Sequence, residues 1–384
     1  MVDVYIASDN IISSLGITST ENFQNCKNGK SGIVLTDDKK LSQTPLYASL
    51  INWNIINEMF GKIADNALFT RLERIFILSI TDALKQTNIR VSDNNTLLLL
   101  STTKGNIELL EQNGNIHIDK DRLHLWKTAD IIQKYFQLSN EPFVVSHACV
   151  SGLNAIILAS RLIKSKCYEN VIVSGGDVLT EFIISGFQSF KAISPRPCKP
   201  FDIAREGITL GEGCGTVVLT SNQTLLKDKN KIKILGGGTS NDANHISGPS
   251  RTGDGLFYAI DSALKEAAIS DKNEIGFISA HGTATSFNDE MESKALKIAG
   301  LTKIPVNSLK GFFGHTLGAA GIIESIISIY ELKNNILIPT IGYENHGVTE
   351  NISVIAKVSE KKLQTCLKTA SGFGGCNAAV LYSK

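Results

Sequence analysis

The residues best suited to chemistry are one cysteine and two histidines. Cys149 lies in Ser146-His147-Ala148-Cys149-Val150-Ser151-Gly152, between the apolar run Phe143-Val144-Val145 and an apolar-periodic stretch from Leu153 to Ile163. That pattern places the thiol where a strand turns into a helix. The first helical turn offers unpaired N–H groups and the positive end of the macrodipole, both of which favour thiolate over thiol. Small neighbours let such an elbow close and let a substrate carbonyl approach the backbone. Taken alone, the cysteine also fits a buried structural role. Of seven histidines, only His281 and His315 sit in small-residue turns after apolar runs, His281 before Gly282-Thr283-Ala284-Thr285 and His315 before Thr316-Leu317-Gly318. A thiol with two imidazoles suits reactions in which an acyl group is held as a thioester while an oxyanion develops beside it.

The elements that must position these groups alternate between strand and helix. Ile6 to Ile12 reads as a strand, Thr18 to Glu21 as a helix start and Thr70 to Lys85 as an amphipathic helix. Leu97 to Leu100 and Val171 to Ser174 are apolar strands, with helical patterns around Glu108 and over Ala129 to Phe136. This alternation predicts parallel pairing with helices on both faces. Aligning Cys149 with His315 brings Gly152 over Gly318, Ile156-Ile157 over Ile322-Ile323, and Ile163 over Ile329. Each half also closes on a glycine-rich turn into an apolar strand, at Gly211 to Leu219 and Gly372 to Leu381, with the polar stretch Ser221 to Lys233 between them. These repeats predict duplicated α/β halves, residues 1–225 with the cysteine and 226–384 with the histidines. A pseudo-twofold axis would bring Cys149 and His315 together, each at a helix start.

Composition narrows the class. With 384 residues, 42% hydrophobic, 20% charged and a formal net charge of +1, the chain is expected to be globular and soluble, without nucleic acid or membrane as a partner. Neither a basic amino-terminal region nor an apolar stretch of about 20 residues is present, so the expected location is cytoplasmic. The seven cysteines are odd in number and scattered, without a Cys-x-x-Cys pair, which argues against a disulfide framework or a zinc site, and no metal is expected.

Ala148-Cys149, His281-Gly-Thr-Ala-Thr with Asn288-Asp289, Lys310 through Gly321, and Gly372-Phe-Gly-Gly-Cys-Asn together resemble the active-site motifs of β-ketoacyl synthases, the decarboxylating condensing enzymes of the thiolase fold. The resemblance implies a five-layer α-β-α-β-α arrangement and extension of an acyl chain by two carbons from malonyl-acyl-carrier protein. It implies that Cys149 takes the acyl group, and that His281 and His315 bind the malonyl thioester carbonyl and promote decarboxylation. By the same route Lys310 is a buried lysine near the second histidine, paired with Glu324, either holding architecture or tuning His315. Phe373 would give a backbone oxyanion-hole donor and a gating ring, Thr283 and Thr285 would bind pantetheine, Asn106 and Ile107 would line the acyl pocket, and Asp289 and Glu292 would brace the histidine loop. No cofactor is implied, since phosphopantetheine arrives on the carrier protein. The implied partners are an acyl carrier protein and either a second copy or a chain-length-factor-like homologue; Arg71, Arg74, Lys191, Arg196 and Lys199 are candidates for a basic docking rim.

The chain departs from the housekeeping pattern at Ser286 in place of proline, at Cys376 in place of threonine, at Ser101 to Ile107 and at His147. These changes lean towards a specialised pathway such as aryl-polyene synthesis. A non-decarboxylating thiolase, with Cys376 as base, is the rival within the same fold.

Overall fold

Residues 2–111, 119–227 and 231–384 are described in the structure, a computed structural model. Strand β1 (Tyr5–Ser13) is buried along its whole length. Helix α1 (Arg71–Lys85) starts at a capping box in which Thr70 Oγ1 accepts from the Glu73 N–H and the Glu73 carboxylate accepts from the Thr70 N–H. Then follow β2 (Thr96–Ser101), α2 (Leu125–Phe136), β3 (Phe143–Val145), α3 (Ser151–Lys164), β4 (Asn170–Asp177), α4 (Glu181–Ser189) and β5 (Gly213–Thr220). The second half runs β6 (Lys233–Asn241), α5 (Asp254–Glu266), β7 (Phe277–Ser279), α6 (Ser286–Ile298), β8 (Pro305–Asn307), α7 (Lys310–Phe313), α8 (Ala320–Asn334), β9 (Thr365–Gly372) and β10 (Cys376–Ser383). Around Glu108 the chain makes only a short 3₁₀ turn, Ile107–Leu110.

One sheet connects the halves in the order β8-β7-β9-β10-β6-β1-β5-β4-β2-β3, with the short strand Ser353–Val354 beyond β8. From the centre outward the first half pairs β1 with β5 and β5 with β4 antiparallel, then β4 with β2 and β2 with β3 parallel. The second half repeats this: β6–β10 and β10–β9 are antiparallel, β9–β7 and β7–β8 parallel. The halves meet where Tyr5 pairs with Lys233. The sheet is therefore mixed, where the alternation of strands and helices predicts parallel pairing throughout. Phe373-Gly374-Gly375 alone joins β9 to β10, and a connection that short closes only an antiparallel pair, since parallel neighbours need a crossover of a dozen residues or more.

Helices α3 and α8 lie between the two halves of the sheet, within an apolar cluster drawn from both. α1 covers the outer face of the first half, α5 and α6 that of the second. α8 is buried on nearly every side, as an apolar helix at the centre of a large domain must be. The two central helices approach through their glycines. A Cβ on Gly152 would lie 2.8 Å from the Gly318 carbonyl oxygen, and one on Gly321 would lie 2.5 Å from the Leu153 nitrogen. This contact sets the spacing between the two helix starts, and so between Cys149 and His315.

Alanine is a better helix former than glycine by about 1 kcal/mol, yet Gly152→Ala is expected to destabilise the fold, because overpacking of this kind costs about 1–3 kcal/mol or more. Chemical denaturation measures the difference; equal or greater stability of the variant would contradict the close approach.

Candidate functional site

Cys149 sits two residues before α3, at an elbow made by Ala148, whose φ of 47° lies in the left-handed region. Ser151 laces the elbow: its Oγ donates to the Ala148 carbonyl at 2.6 Å and accepts from the His147 N–H at 2.7 Å. The Gly372 backbone passes so close that a Cβ there would lie 3.1 Å from the Cys149 nitrogen. Cys149 is 8% exposed, and the nearby Phe373 N–H favours the charged form of its thiol. The helix start alone predicts a lowered thiol pKa; in the folded chain burial outweighs the help of Lys310 and of the Phe373 N–H, and pushes Cys149 up to about 11.

His315 lies in a turn that begins at Gly314, with φ of 64°. Its N–H donates to the Thr209 carbonyl at 2.7 Å and its own carbonyl accepts from the Gly211 N–H at 3.0 Å. The Leu317 N–H donates to His315 Nδ1 at 3.1 Å, so Nδ1 is unprotonated and Nε2 carries the hydrogen. That Nε2 is buried and has no hydrogen-bond partner among the described residues. The turn is tied to the first half through Asp177, which accepts from the Gly318 N–H at 2.7 Å, from Thr102 Oγ1 at 2.8 Å, and from both the N–H and the hydroxyl of Thr103.

His281 follows β7. Glu292 accepts from the N–H groups of His281 and Gly282 at 2.8 and 2.6 Å, and Asp289 accepts from those of Thr283, Ala284 and Phe201. Burial pushes both carboxyls up, Asp289 to about 7. Thr285 caps α6 and its hydroxyl lies 2.9 Å from that of Thr283. Lys310 Nζ donates to the His281 carbonyl at 3.0 Å and faces His281 Nδ1 at 3.4 Å, which again leaves Nε2 as the protonated nitrogen. The lysine expected beside the second histidine thus lies against the first. It forms an ion pair with Glu324, whose other oxygen is 2.6 Å from Lys368 Nζ.

Cys149 Sγ and a ring nitrogen of each histidine lie within 4.8 Å of one another. The imidazole rings meet edge to face, with centroids 5.1 Å apart. Burial first, then the Lys310 charge, holds both pKa values well below the ordinary histidine range, so both rings are neutral. Two neutral imidazoles that each present Nε2–H to one point form a pair of donors, suited to a developing oxyanion. A metal cage needs the opposite tautomer, with Nε2 lone pairs turned inward.

The three groups open on a cavity of about 390 Å³, also lined by Thr283, Thr285, Phe373 and Lys191. The Phe373 ring stacks on Phe187 with centroids 5.9 Å apart and meets Phe190 edge-on at 5.5 Å. Asn106 and Ile107 do not line this cavity. The Asn106 amide is taken up by Thr70, Glu73, Thr128 and the Arg122 carbonyl in a buried polar knot. Ile107 packs against the cluster containing Leu179, Ile183 and Leu210. Cys376, a thiolase-like base in the rival reading, also lies outside the cavity lining, with Sγ 2.7 Å from His147 Nε2. Of the basic candidates, Arg71 is tied to Glu108 and Glu212, Arg74 to Asn57, Arg196 to Glu206 and Lys199 to Glu344; Lys191 stands at the cavity. Sequence reasoning missed Asp177 and Lys368. A lone lysine within the apolar stretch Cys366-Leu367-Lys368-Thr369-Ala370 was the available signal for the second.

Because the folded rings resist protonation, the unfolded chain binds more protons below the ordinary histidine pKa. Stability must fall as pH drops from 6.5, by up to about 1.4 kcal/mol per pH unit for each ring. His315→Gln is expected to make that fall shallower between pH 6.5 and 5 in denaturation experiments; identical slopes would mean that His315 protonates normally.

Family models for β-ketoacyl synthase match residues 2–224 (N-terminal domain) and 232–344 (C-terminal domain). The chain is 28% identical over 431 aligned positions to a putative mitochondrial 3-oxoacyl-[acyl-carrier-protein] synthase of Schizosaccharomyces pombe, covering 100% of this chain and 99% of the relative. It is 35% identical over 249 residues to 3-oxoacyl-[acyl-carrier-protein] synthase 2 of Rhizobium meliloti, covering 61% of this chain and 58% of that protein; the chain thus spans less than two thirds of the length of this bacterial relative. In structure it is similar to a β-ketoacyl synthase from Burkholderia phymatum (TM-score 0.88, 22% identity, 100% of both chains). A ketosynthase from Xenorhabdus doucetiae, solved with its chain length factor, also superposes (TM-score 0.85, 24% identity, 100% of this chain and 98% of that one). These structures share the thiolase-like fold with it, and with both family models matched in order the chain belongs to the β-ketoacyl synthase family.

Proposed function

We propose that this chain is a β-ketoacyl-(acyl-carrier-protein) synthase that joins an acyl group held on Cys149 to a two-carbon unit from malonyl-acyl-carrier protein. The observation that supports this most directly is the meeting of a buried thiol with two inward Nε2–H donors in one cavity.

In the first half-reaction Cys149 Sγ attacks the carbonyl of the incoming acyl thioester. The C–S bond to pantetheine breaks, and the thiol proton leaves with the pantetheine sulfur, so no net proton is released. A thiol with a pKa of about 11 is protonated at rest, so its charge forms only in the transition state, beside the Lys310 ammonium. The N–H groups of Cys149 and Phe373 take the role of oxyanion hole. In the second half-reaction a malonyl thioester places its carbonyl oxygen between His281 and His315. Loss of carbon dioxide leaves the bonding pair as an enolate on that oxygen, where both Nε2–H groups stabilise it. The enolate carbon then attacks the Cys149 thioester, the C–S bond breaks, and the expelled thiolate takes up one proton from solvent.

In this reading Thr283 and Thr285 hold the pantetheine arm, Asp289 and Glu292 brace the His281 loop, and no resident cofactor is called for, since the pantetheine travels with the carrier. Lys191 belongs to the rim facing an acidic carrier. The seven free thiols suit a reducing compartment such as the cytoplasm, and among the described residues no helix is long and apolar enough to cross a membrane. The exposed edge of β3 suits pairing with a second copy or with a chain-length-factor-like homologue. The latter option, with an unsaturated or aryl-primed chain, draws support from the three phenylalanine rings beside the thiol and from fold-level likeness to a ketosynthase solved with such a factor.

Intact mass after incubation with acyl-carrier-protein thioesters tests the nucleophile: the wild-type chain gains one acyl group and Cys149→Ala gains none, whereas acylation of the variant would refute the role. His315→Ala is expected to keep that mass gain while losing malonyl decarboxylation by about 10²–10³-fold, the usual cost of removing one oxyanion donor. Equal loss of both activities would contradict the division of roles.

A further inference from the structure

We propose that Lys368 is a positioning residue for the decarboxylation step: its ammonium is a second buried cation behind the two imidazoles and it holds the strand end that carries His281. The inference rests on the roles proposed above for Cys149, His281 and His315.

Lys368 is wholly buried in β9, among Cys366, Leu367 and Ala370. Its Nζ donates to the carbonyls of Ser279 at 3.2 Å and Ala280 at 3.1 Å, the two residues that lead into His281, and pairs with Glu324 at 2.6 Å. All three ammonium hydrogens are thereby used. Lys310 takes the other oxygen of the same carboxylate. Two buried ammonium groups therefore share one carboxylate, an arrangement that stability alone does not favour, because each ion taken out of water requires its own compensation. The remaining acidic groups nearby supply only part of it. Glu331 is pushed up to about 8 by burial, which leaves it neutral at pH 7, and Glu292, whose charge favours the Lys368 ammonium, is held against the backbone N–H groups of the histidine loop.

The extra positive charge has an effect before and during the reaction. With substrate absent it opposes protonation of both imidazoles, which keeps each Nδ1 free to accept from the Leu317 N–H or to face Lys310. As carbon dioxide departs, negative charge appears on the oxygen held by the Nε2–H groups, and a buried cation behind them attracts it. For any buried charge on the order of 8 Å from a developing oxyanion, at an effective dielectric constant near 20, Coulomb's law gives a loss of roughly thirtyfold on its removal, and that is the scale adopted for Lys368.

Two substitutions separate charge from hydrogen bonding. Lys368→Met removes both, whereas Lys368→Gln keeps N–H donors for the Ser279 and Ala280 carbonyls without the charge. The assay measures release of labelled carbon dioxide from malonyl-acyl-carrier protein between pH 5 and 8, with acyl loading of Cys149 followed by intact mass on the same preparations. Lys368→Gln is expected to lower kcat for decarboxylation about thirtyfold and Lys368→Met by more, with KM and loading within twofold in both, and both are expected to move the acid limb of the profile towards neutral pH; wild-type kcat in Lys368→Gln would overturn the role of the charge. If decarboxylation and loading fall together, or if the acid limb stays in place in both variants, Lys368 is structural only and the inference is overturned. A wild-type protein that loads acyl groups but releases no carbon dioxide would instead defeat the parent reading, and this inference with it.

Discussion

Each imidazole in the cavity is constrained at its Nδ1, His315 by the Leu317 N–H and His281 by the Lys310 ammonium, and this constraint determines what the site can do. An imidazole whose Nδ1 must accept has its proton on Nε2 and presents it as a donor. Two such donors aimed at one point, both buried at the end of one cavity, form an electrostatic trap for an oxyanion. Had the same rings been free to turn, the same three residues could equally hold a metal ion or act as bases.

The rest of the structure can be understood as keeping that geometry in place. Gly152, Gly318 and Gly321 let α3 and α8 touch, which sets the thiol opposite His315. Asp177 draws the His315 turn onto the end of β4, while Glu292 and Asp289 hold the His281 loop by its backbone N–H groups. Beneath both lies the buried Lys310–Glu324–Lys368 cluster, in which two lysines share one carboxylate. Burial raises the thiol pKa and lowers those of the imidazoles, so the resting site is uncharged at its reactive atoms. Charge then appears only as bonds change, which is where preorganised donors lower a barrier.

Much of this was legible in the chain. The repeat that superposes Cys149 on His315 follows from a local pattern, glycine followed by an apolar-periodic helix, and such patterns survive folding unchanged. Thr18 to Glu21 announces a helix start by the same local logic, and Thr18 Oγ1 does cap the helix Ser19–Lys27. What escaped depends on partners distant in sequence. Asn106 reads as a pocket residue beside Ile107, yet Glu73, Arg122 and Thr128 converge on its amide from three separate segments. Strand direction in the sheet depends on how long connections return, so alternation of elements could not distinguish a mixed sheet from a parallel one. Lys368 has ordinary strand neighbours, and only the packing of β9 against β7 and α8 shows what its ammonium meets. The thiol is the subtlest case: its helix-start position is local and favours thiolate, whereas burial, which wins, is a property of the whole fold.

The chemistry of the site depends on where two protons sit. Nitrogen-15 NMR of the protein with labelled histidines, assigned through variants lacking His281 or His315, reads this directly at neutral pH. Both rings are expected to be neutral, with hydrogen on Nε2 and a lone pair on Nδ1, and to remain so as the pH falls through 6. Observation of either ring as the Nδ1–H tautomer, or as a cation at pH 7, would contradict this.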